Sequence, residues 1–262
     1  MTKEKIEETF KRLSDEGDKA FIAYIMAGDG GLENLESQIK TLEESGVDLI
    51  EIGIPFSDPA ADGPVIQEAG IRALENGVSL LDILNTLAKI KDEISVPYVL
   101  MTYYNPVYKL TLDVFRNKAE EAGVSGIIVP DVPLDEEAEL KNGLRGSDIA
   151  IIRLATLTTS DERLREITRD AEGFIYAVTV NGVTGGQNNY KEEVYDNLER
   201  IKRVSPIPVC AGFGVSNKTQ AEQLGAYTDG VIVGSKIVKI FYQGREREIK
   251  DLIPDKKLTR VK

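Results

Sequence analysis

Eight short apolar segments recur along the chain, and this recurrence constrains the fold more than any other feature. They are separated by amphipathic stretches and begin about 22–33 residues apart, except for one wider gap between the second and the third. Continuous apolar strands joined by helices are typical of a parallel sheet that helices cover. Eight such units in 262 residues predict an α/β fold, a (β/α)8 TIM barrel. A doubly wound open sheet is the alternative, but it usually has only five or six strands.

Two additional helices are expected. Ile6, Phe10 and Leu13 follow helical spacing before the first strand, which predicts an extra N-terminal helix. The wider gap after strand 2 leaves room for an added helix around residues 63–75. Because no linker or low-complexity segment interrupts the pattern, residues 1–262 are expected to form one domain.

Two helix starts have the spacing of a capping box, in which side chains and backbone N–H groups at the start of a helix bond reciprocally. They are Ser79 with Asp82, and Thr159 with Glu162.

Composition limits the classes of function. No apolar run approaches the roughly 18 residues of a membrane helix, and the net charge of −12 disfavours binding to nucleic acid. The only cysteine, Cys210, excludes a disulfide within the chain and a thiolate zinc cluster, so we expect a cytoplasmic protein without a metal site. Backbone N–H groups can still bind a small phosphate.

Glu51 is the first candidate for catalysis, because the chain contains no histidine that could transfer a proton. Strand alternation places Ile50 and Ile52 towards the helices and Glu51 towards the barrel interior, near its C-terminal mouth. Burial would raise the pKa of this carboxyl towards neutrality, which suits a general acid–base. A structural ion pair or a hydrogen-bonded polar plug is the alternative.

Asp62 lies on the loop after the same strand, directly before Gly63 and Pro64. An aspartate at this position is commonly a helix N-cap, and spacing alone makes that role at least as good an interpretation as catalysis. The position on the same loop would nevertheless let Asp62 and Glu51 face one cavity.

Three glycine-rich segments, at 181–186, 212–216 and 234–235, follow the last three strands. Barrel enzymes commonly bind phosphate there, with loop amides and a helix N-terminus. Gly185, Gly214, Gly234 and Ser235 are therefore candidate phosphate ligands, although ordinary turns would give the same letters.

These segments also carry a resemblance. The stretch EIGIPFSDPAADGPVIQ at 51–67 resembles the signature of the tryptophan synthase α subunit family, and MTYYNP, IIVPDVPLDE, GVTG, GFGVS and DGVIVGS follow in the family's order. The resemblance covers nearly the whole chain. It implies a lyase of L-tryptophan biosynthesis that cleaves indole-3-glycerol phosphate to indole and glyceraldehyde 3-phosphate by a retro-aldol reaction without a cofactor.

The resemblance also implies roles for individual residues. Glu51 matches the proton-transferring glutamate, and Asp62 matches the aspartate at the indole N–H. The remaining matches are a threonine of the closing loop, four phosphate-binding positions and two pocket residues: Thr184, Gly185, Gly214, Gly234, Ser235, Tyr176 and Phe213. A β subunit that carries pyridoxal phosphate would dock near Asp58, Pro59 and Asn105 and form an α2β2 heterotetramer.

Two other functions compete with this one. A Schiff-base aldolase would need a lysine at a strand end inside the barrel, but the sixth and seventh segments contain none, and Lys236 begins a helix. Alternatively, the chain could act mainly as an allosteric activator of a β subunit. The segments TLTT at 156–159, AGDGG at 27–31 and NGVTGGQNNY at 181–190 differ from the commoner family pattern, but none includes a proton-transfer position.

Overall fold

The structure is a computed structural model that describes residues 2–179, 188–212 and 214–255. The strands are β1 (Ala20–Met26), β2 (Leu49–Gly53), β3 (Tyr98–Met101), β4 (Gly126–Ile128), β5 (Ala150–Ile151), β6 (Leu154–Thr156), β7 (Ile175–Val178), β8 (Val209–Gly212) and β9 (Gly230–Val233). The α-helices are α1 (Thr2–Glu16), α2 (Leu35–Ser45), α3 (Pro64–Glu75), α4 (Leu80–Ile90), α5 (Tyr104–Leu110), α6 (Leu112–Glu121), α7 (Ala138–Gly143), α8 (Asp161–Thr168), α9 (Asn188–Val204), α10 (Lys218–Tyr227) and α11 (Ser235–Tyr242). Short 3₁₀ helices cover Leu32–Asn34, Lys91–Glu93, Leu134–Glu136 and Glu246–Leu252.

All paired strands are parallel, in the order β5-β4-β3-β2-β1-β9-β8-β7-β6. The two strands at the ends of this order are separated in sequence only by Ile152 and Arg153. Ile152 N–H donates to Ile127 at 2.9 Å, and Tyr176 N–H donates to the Arg153 carbonyl at 2.9 Å. The sheet therefore closes on itself, and the barrel prediction is confirmed. The fifth apolar segment forms two short strands where the sequence suggested one.

The barrel has an outer and an inner apolar core, as strand alternation requires. Ile50 and Ile52 pack in the outer core with residues of the surrounding helices. The inner core includes Leu49 and Val99, together with Ile6, Phe10 and Leu13 of α1. The N-terminal helix thus covers the end of the barrel where the strands begin, and the site can form only at the opposite end.

The helix expected after strand 2 is α3. Pro64 occupies its first turn, where a proline is favoured because the missing N–H would be unpaired in any case. The capping box of Ser79 and Asp82 is confirmed at the start of α4. The one expected at Thr159 is wrong, because Ser160 is the N-cap of α8 and accepts from Arg163 N–H, while the Thr159 hydroxyl accepts from Thr156 N–H.

Arg72 links α3 to the loop after β1 by an ion pair and to the last helix of the barrel by a cation–π contact. Arg72 on α3 donates to both carboxylate oxygens of Asp29, at 2.7 and 2.8 Å. Its guanidinium also lies 4.1 Å from the ring centre of Tyr242 on α11. The loop after β1, the helix that follows Asp62 and the helix that begins at Ser235 are therefore held together. No helix in the described ranges is long and apolar enough to cross a bilayer.

Candidate active site

Glu51 points into the mouth of the barrel from the middle of β2, where its register partners are Tyr24 on β1 and Val99 on β3. The residue is 1% exposed, and neither carboxylate oxygen has a hydrogen-bond partner in the described part of the chain. This environment gives no support to an ion pair or a bonded polar plug. Burial, reinforced by the charge of Asp62, raises the pKa of Glu51 to about 8.

Asp62 is half-buried on the loop between β2 and α3. The N-cap of α3 is Gly63, and no side chain caps this helix, so the helix-capping interpretation of Asp62 is wrong. Burial raises the pKa of Asp62 to about 6, against the opposing influence of a hydrogen bond with Tyr103. At neutral pH the two carboxyl groups therefore differ: Glu51 mostly retains its proton, and Asp62 is mostly ionised.

Tyr103 holds the loop that carries Asp62, a role that the sequence did not indicate. Its hydroxyl oxygen accepts from Ala61 N–H at 2.9 Å, and its ring packs against Phe56 with 5.2 Å between ring centres. Burial and the nearby Asp62 raise the pKa of Tyr103 to about 12. The phenol therefore remains a hydrogen-bond donor to Asp62 over the working pH range.

The two carboxyl groups line one cavity of about 250 Å³ at the barrel mouth. Among the other residues of its wall are Tyr24, Met101, Tyr176, Gly214, Gly234 and Ser235. Six of the predicted site residues therefore line this one cavity: Glu51, Asp62, Tyr176, Gly214, Gly234 and Ser235.

Two strand glycines create the space for the tyrosines of this wall. A Cβ atom at Gly53 would lie 2.0 Å from Tyr24 Oη, and one at Gly212 would lie 2.4 Å from Tyr176 Oη. Neither distance is compatible with a side chain, so any larger residue at these positions would displace a phenol from the cavity.

The opposite end of the cavity has the features of an anion site. Gly234 is the N-cap of α11, and no side chain accepts a hydrogen bond from the first N–H groups of this helix. Gly214 adopts a φ of 73°, a conformation that favours glycine. Lys236 and Lys239 also line this end, although the sequence patterns assigned neither of them a role in binding phosphate. The N–H groups and the two cations together would attract a phosphate group.

The other predicted residues fall into two groups. Thr184, Gly185 and Phe213 lie outside the described residues. Asp58 and Asn105 are exposed and Pro59 is half-buried, on the loop that precedes Asp62 and on α5, which follow β2 and β3 at the mouth end of the barrel.

Two kinds of site, a Schiff-base lysine at a strand end and a metal centre, have no candidate residues in the described part of the chain. None of the nine strands of the described structure contains a lysine, and Lys236 lies on α11, so a strand-end Schiff base has no candidate there. No group of three or more histidine, cysteine, aspartate or glutamate residues in the described ranges could hold a metal ion.

Comparisons with known proteins agree with this geometry. A family model described as tryptophan synthase alpha chain matches residues 10–260. The chain is 49% identical to the tryptophan synthase alpha chain of Bacillus cereus strain G9842, over 94% of this chain and 95% of the relative. It is 47% identical to that of Oceanobacillus iheyensis, over 97% of both chains. The crystal structure of tryptophan synthase subunit alpha from Legionella pneumophila strain Paris superposes with a TM-score of 0.86 at 32% identity and covers 95% of each chain.

Proposed function

The chain belongs to the tryptophan synthase alpha chain family, and we propose that Glu51 and Asp62 carry out its reaction, the cleavage of indole-3-glycerol phosphate to indole and glyceraldehyde 3-phosphate. One observation carries the assignment of these roles. A fully buried carboxyl group without a hydrogen-bond partner among the described residues shares a cavity with a second carboxyl group and with the open N-terminus of α11.

The reaction begins with a proton transfer to carbon. The protonated Glu51 donates its proton to C3 of the indole ring, which creates an indolenine that can accept an electron pair. Asp62, ionised at neutral pH, accepts a hydrogen bond from the ring N–H and stabilises the positive charge that develops there. A positioned acid of this kind typically contributes about 10²–10⁴-fold to the rate.

The carbon–carbon bond breaks in the second step. The Glu51 carboxylate removes the proton from the hydroxyl group on the carbon that is bonded to the ring. The electrons of this O–H bond form the aldehyde carbonyl, and those of the carbon–carbon bond return to the indole ring. Glu51 thereby regains its proton, and no cofactor is required to balance the reaction.

The phosphate group belongs at the opposite end of the cavity. N–H groups at Gly214, Gly234 and Ser235 hold it, with Gly185 as a further candidate. From the family resemblance we also assign Tyr176 and Phe213 to the substrate pocket and Thr184 to a contact with Asp62. Lys236 and Lys239 add positive charge beside the anion.

A comparison of two variants at Gly234 tests the phosphate end. Gly234 has a negative φ of −105°, and a Cβ atom there would lie 3.5 Å from Tyr24 Cβ, an ordinary van der Waals distance, so there is space for a side chain. Gly234→Asp should raise KM well above the value of the nearly isosteric Gly234→Asn, because only the aspartate repels the phosphate. Equal KM values for the two variants would remove Gly234 from the phosphate site.

The family also supports a partner for this chain. We propose that a β subunit with pyridoxal phosphate docks against Asp58, Pro59 and Asn105 and receives the indole, in an α2β2 assembly. These positions surround the open end of the barrel, where the product must leave. We further propose that residues 1–262 form one domain, and that the enzyme works in the cytoplasm with its partner.

The decisive experiment measures the release of indole and glyceraldehyde 3-phosphate by the purified chain, with and without a β subunit. Glu51→Gln should lower the rate by at least about 10²-fold, whereas Glu75→Gln on the exposed end of α3 should not change it. A Glu51→Gln rate within tenfold of the parent would overturn the assigned role. Absence of cleavage by the parent chain in both conditions would overturn the reaction itself.

A further inference from the structure

Tyr24 lines the cavity, but the reaction proposed above gives it no role. It lies on β1 directly opposite Glu51 in the strand register, and it is 5% exposed. Paired residues on neighbouring strands point to the same face of a sheet, so the phenol and the carboxyl group both point into the barrel mouth. Both residues line the same cavity.

The ring of Tyr24 extends between the two functional ends of this cavity. Its base packs beside Gly234, where a Cβ atom would lie 3.5 Å from Tyr24 Cβ. Its hydroxyl group lies against Gly53, two residues beyond Glu51 on β2. The side chain of Tyr24 therefore extends from the proposed phosphate site at Gly234 to the vicinity of Glu51.

Both oxygens of Glu51 lack hydrogen-bond partners in the described ranges, and none of the hydrogen bonds between described residues involves the Tyr24 hydroxyl group. Burial, together with the charges of Asp62 and Glu51, holds the pKa of Tyr24 well above its usual value. The phenol thus keeps its proton and can donate a hydrogen bond. A buried donor beside a binding cavity needs an acceptor, which a bound ligand can provide.

The substrate class offers such an acceptor. A three-carbon chain with two hydroxyl groups connects the indole ring to the phosphate. If the ring lies at Asp62 and the phosphate at Gly234 and Ser235, this chain must pass along Tyr24. Resting on the function proposed above, we infer that Tyr24 Oη hydrogen-bonds to a hydroxyl group of the substrate's glycerol chain and thereby selects hydroxylated chains over deoxygenated ones.

The test compares Tyr24→Phe with the parent enzyme on two compounds. One is indole-3-glycerol phosphate. The other is indole-3-propanol phosphate, which has the same ring, chain length and phosphate but lacks both hydroxyl groups. We expect kcat/KM for the substrate to fall about 3- to 10-fold, the size of one neutral hydrogen bond. The inhibition constant of the propanol compound should remain within about twofold, because that compound gives Tyr24 no partner.

A matched control removes a different buried phenol. Tyr98 is 3% exposed, and its hydroxyl group donates to the Ala122 carbonyl in the outer core, away from the cavity. Tyr98→Phe should change thermal stability and leave kcat/KM for the substrate and the inhibition constant of the analogue unaltered. This control separates the loss of a buried hydroxyl group in general from the loss of the one in the site.

Two results would overturn the inference. An unchanged kcat/KM in Tyr24→Phe would show that the hydroxyl group does not touch the substrate. Equal weakening for both compounds would show that the variant perturbs the site as a whole. In either case the parent enzyme still cleaves the substrate, so the proposed function would stand, whereas a parent enzyme without cleavage would remove the premise of both.

Discussion

At the scale of single residues, the chemistry depends on a difference between two carboxyl groups. Glu51 is enclosed by the barrel interior, and its pKa is raised to about 8. Asp62 is only half-buried and interacts with Tyr103, and its pKa is raised only to about 6. Between these values, one group can donate a proton while the other carries the negative charge that the indole ring requires.

This difference predicts a bell-shaped pH dependence of kcat/KM. Activity should rise as pH increases through about 6, because Asp62 becomes ionised. It should fall above about 8, because Glu51 loses the proton that it must donate. Since the groups interact, the two apparent values belong to the pair. The measurement is a kcat/KM profile of the chain between pH 5 and 10, and a flat profile across this range would contradict the assignment.

The same burial should lower the free energy of unfolding at a pH where Glu51 is ionised. Its pKa is higher in the folded protein than the 4.5 of an exposed glutamate. Between these two values the folded state binds more protons, so stability falls as pH rises through this window and levels off above about 8. Glu51→Gln should therefore stabilise the protein at pH 8.5 by about 3–5 kcal/mol, and by much less at pH 5.

Urea unfolding at both pH values measures this effect, with Glu75→Gln as the exposed control. Equal stabilisation of Glu51→Gln at pH 5 and pH 8.5 would mean that Glu51 titrates normally.

Sequence patterns found some of these residues and missed others. Strand alternation was sufficient for Glu51, and the same alternation applies to Tyr24, which could have been found by pairing β1 with β2. Asp62 remained ambiguous because the letters around it also fit a helix cap, and only the bond geometry at Gly63 excluded that. The contact between Tyr103 and Ala61 joins loops 42 residues apart, so local sequence gave no sign of it.

At the scale of elements, a buried ion pair lies at the seam between β5 and β6, where the sheet closes. Arg153 lies between the two strands and donates to both oxygens of Glu137, at 2.8 and 2.6 Å. It also donates to the carbonyl groups of Ile167 and Arg169 at the end of α8. Both side chains of the pair are less than 10% exposed. The guanidinium thus connects the seam of the sheet to two of its covering helices.

A double-mutant cycle should reveal this connection. Arg153→Met leaves the Glu137 charge buried without a partner and should lower the free energy of unfolding by about 3–5 kcal/mol. The double variant Arg153→Met/Glu137→Leu should cost less than the sum of the single variants, because no unpaired charge remains. Chemical denaturation measures all three. The exposed pair Lys118–Glu121 is the control, where Lys118→Met should change stability by no more than about 1 kcal/mol. Additive effects at Arg153 and Glu137 would contradict the coupling.

The periodicity of the sequence predicted which helices and strands form better than it predicted where each one begins and ends. The continuous segment DIAIIRLA gave no sign of two strands, because the division depends on where the neighbouring strands end. Among the strands that the structure describes, β5 pairs only with β4, and β6 pairs only with β7. In the same way, Thr159 and Ser160 are both plausible caps by type, and their tertiary surroundings determine which hydroxyl group is used.

At the scale of the whole molecule, the barrel has one covered end and one open end. Helix α1 packs into the inner core where the strands begin, while the cavity of Glu51 and the proposed partner positions lie at the other end. Apolar repetition along the sequence was enough to predict which end carries the site, because βα units place the loops that follow the strands on one side, but it did not predict that α1 covers the other end. The size of the cavity could not be predicted from the sequence. It depends on contacts between neighbouring strands, in which Gly53 and Gly212 leave space for the phenols of Tyr24 and Tyr176.

This asymmetry leads to a prediction about the partner. Asn105→Arg places a bulky cation at an exposed position beside the mouth, so it should reduce stimulation by the β subunit and leave the activity of the isolated chain unchanged. Asn142→Arg, exposed on α7 and lining the same surface cavity as Lys3 of α1, should leave both unchanged. Indole release is measured against increasing β subunit. Full stimulation of Asn105→Arg would exclude Asn105 from the docking surface.

The proposed mechanism depends on one property of Glu51, the retention of its proton near neutral pH, and a direct titration measures it. Carboxyl carbons of the chain can be labelled with ¹³C and followed by NMR between pH 4 and 10, with Glu51→Gln identifying the resonance. We expect the Glu51 carboxyl to titrate near pH 8. A midpoint close to the ordinary value of 4.5 would mean that the group is ionised at neutral pH and is not the acid of this reaction.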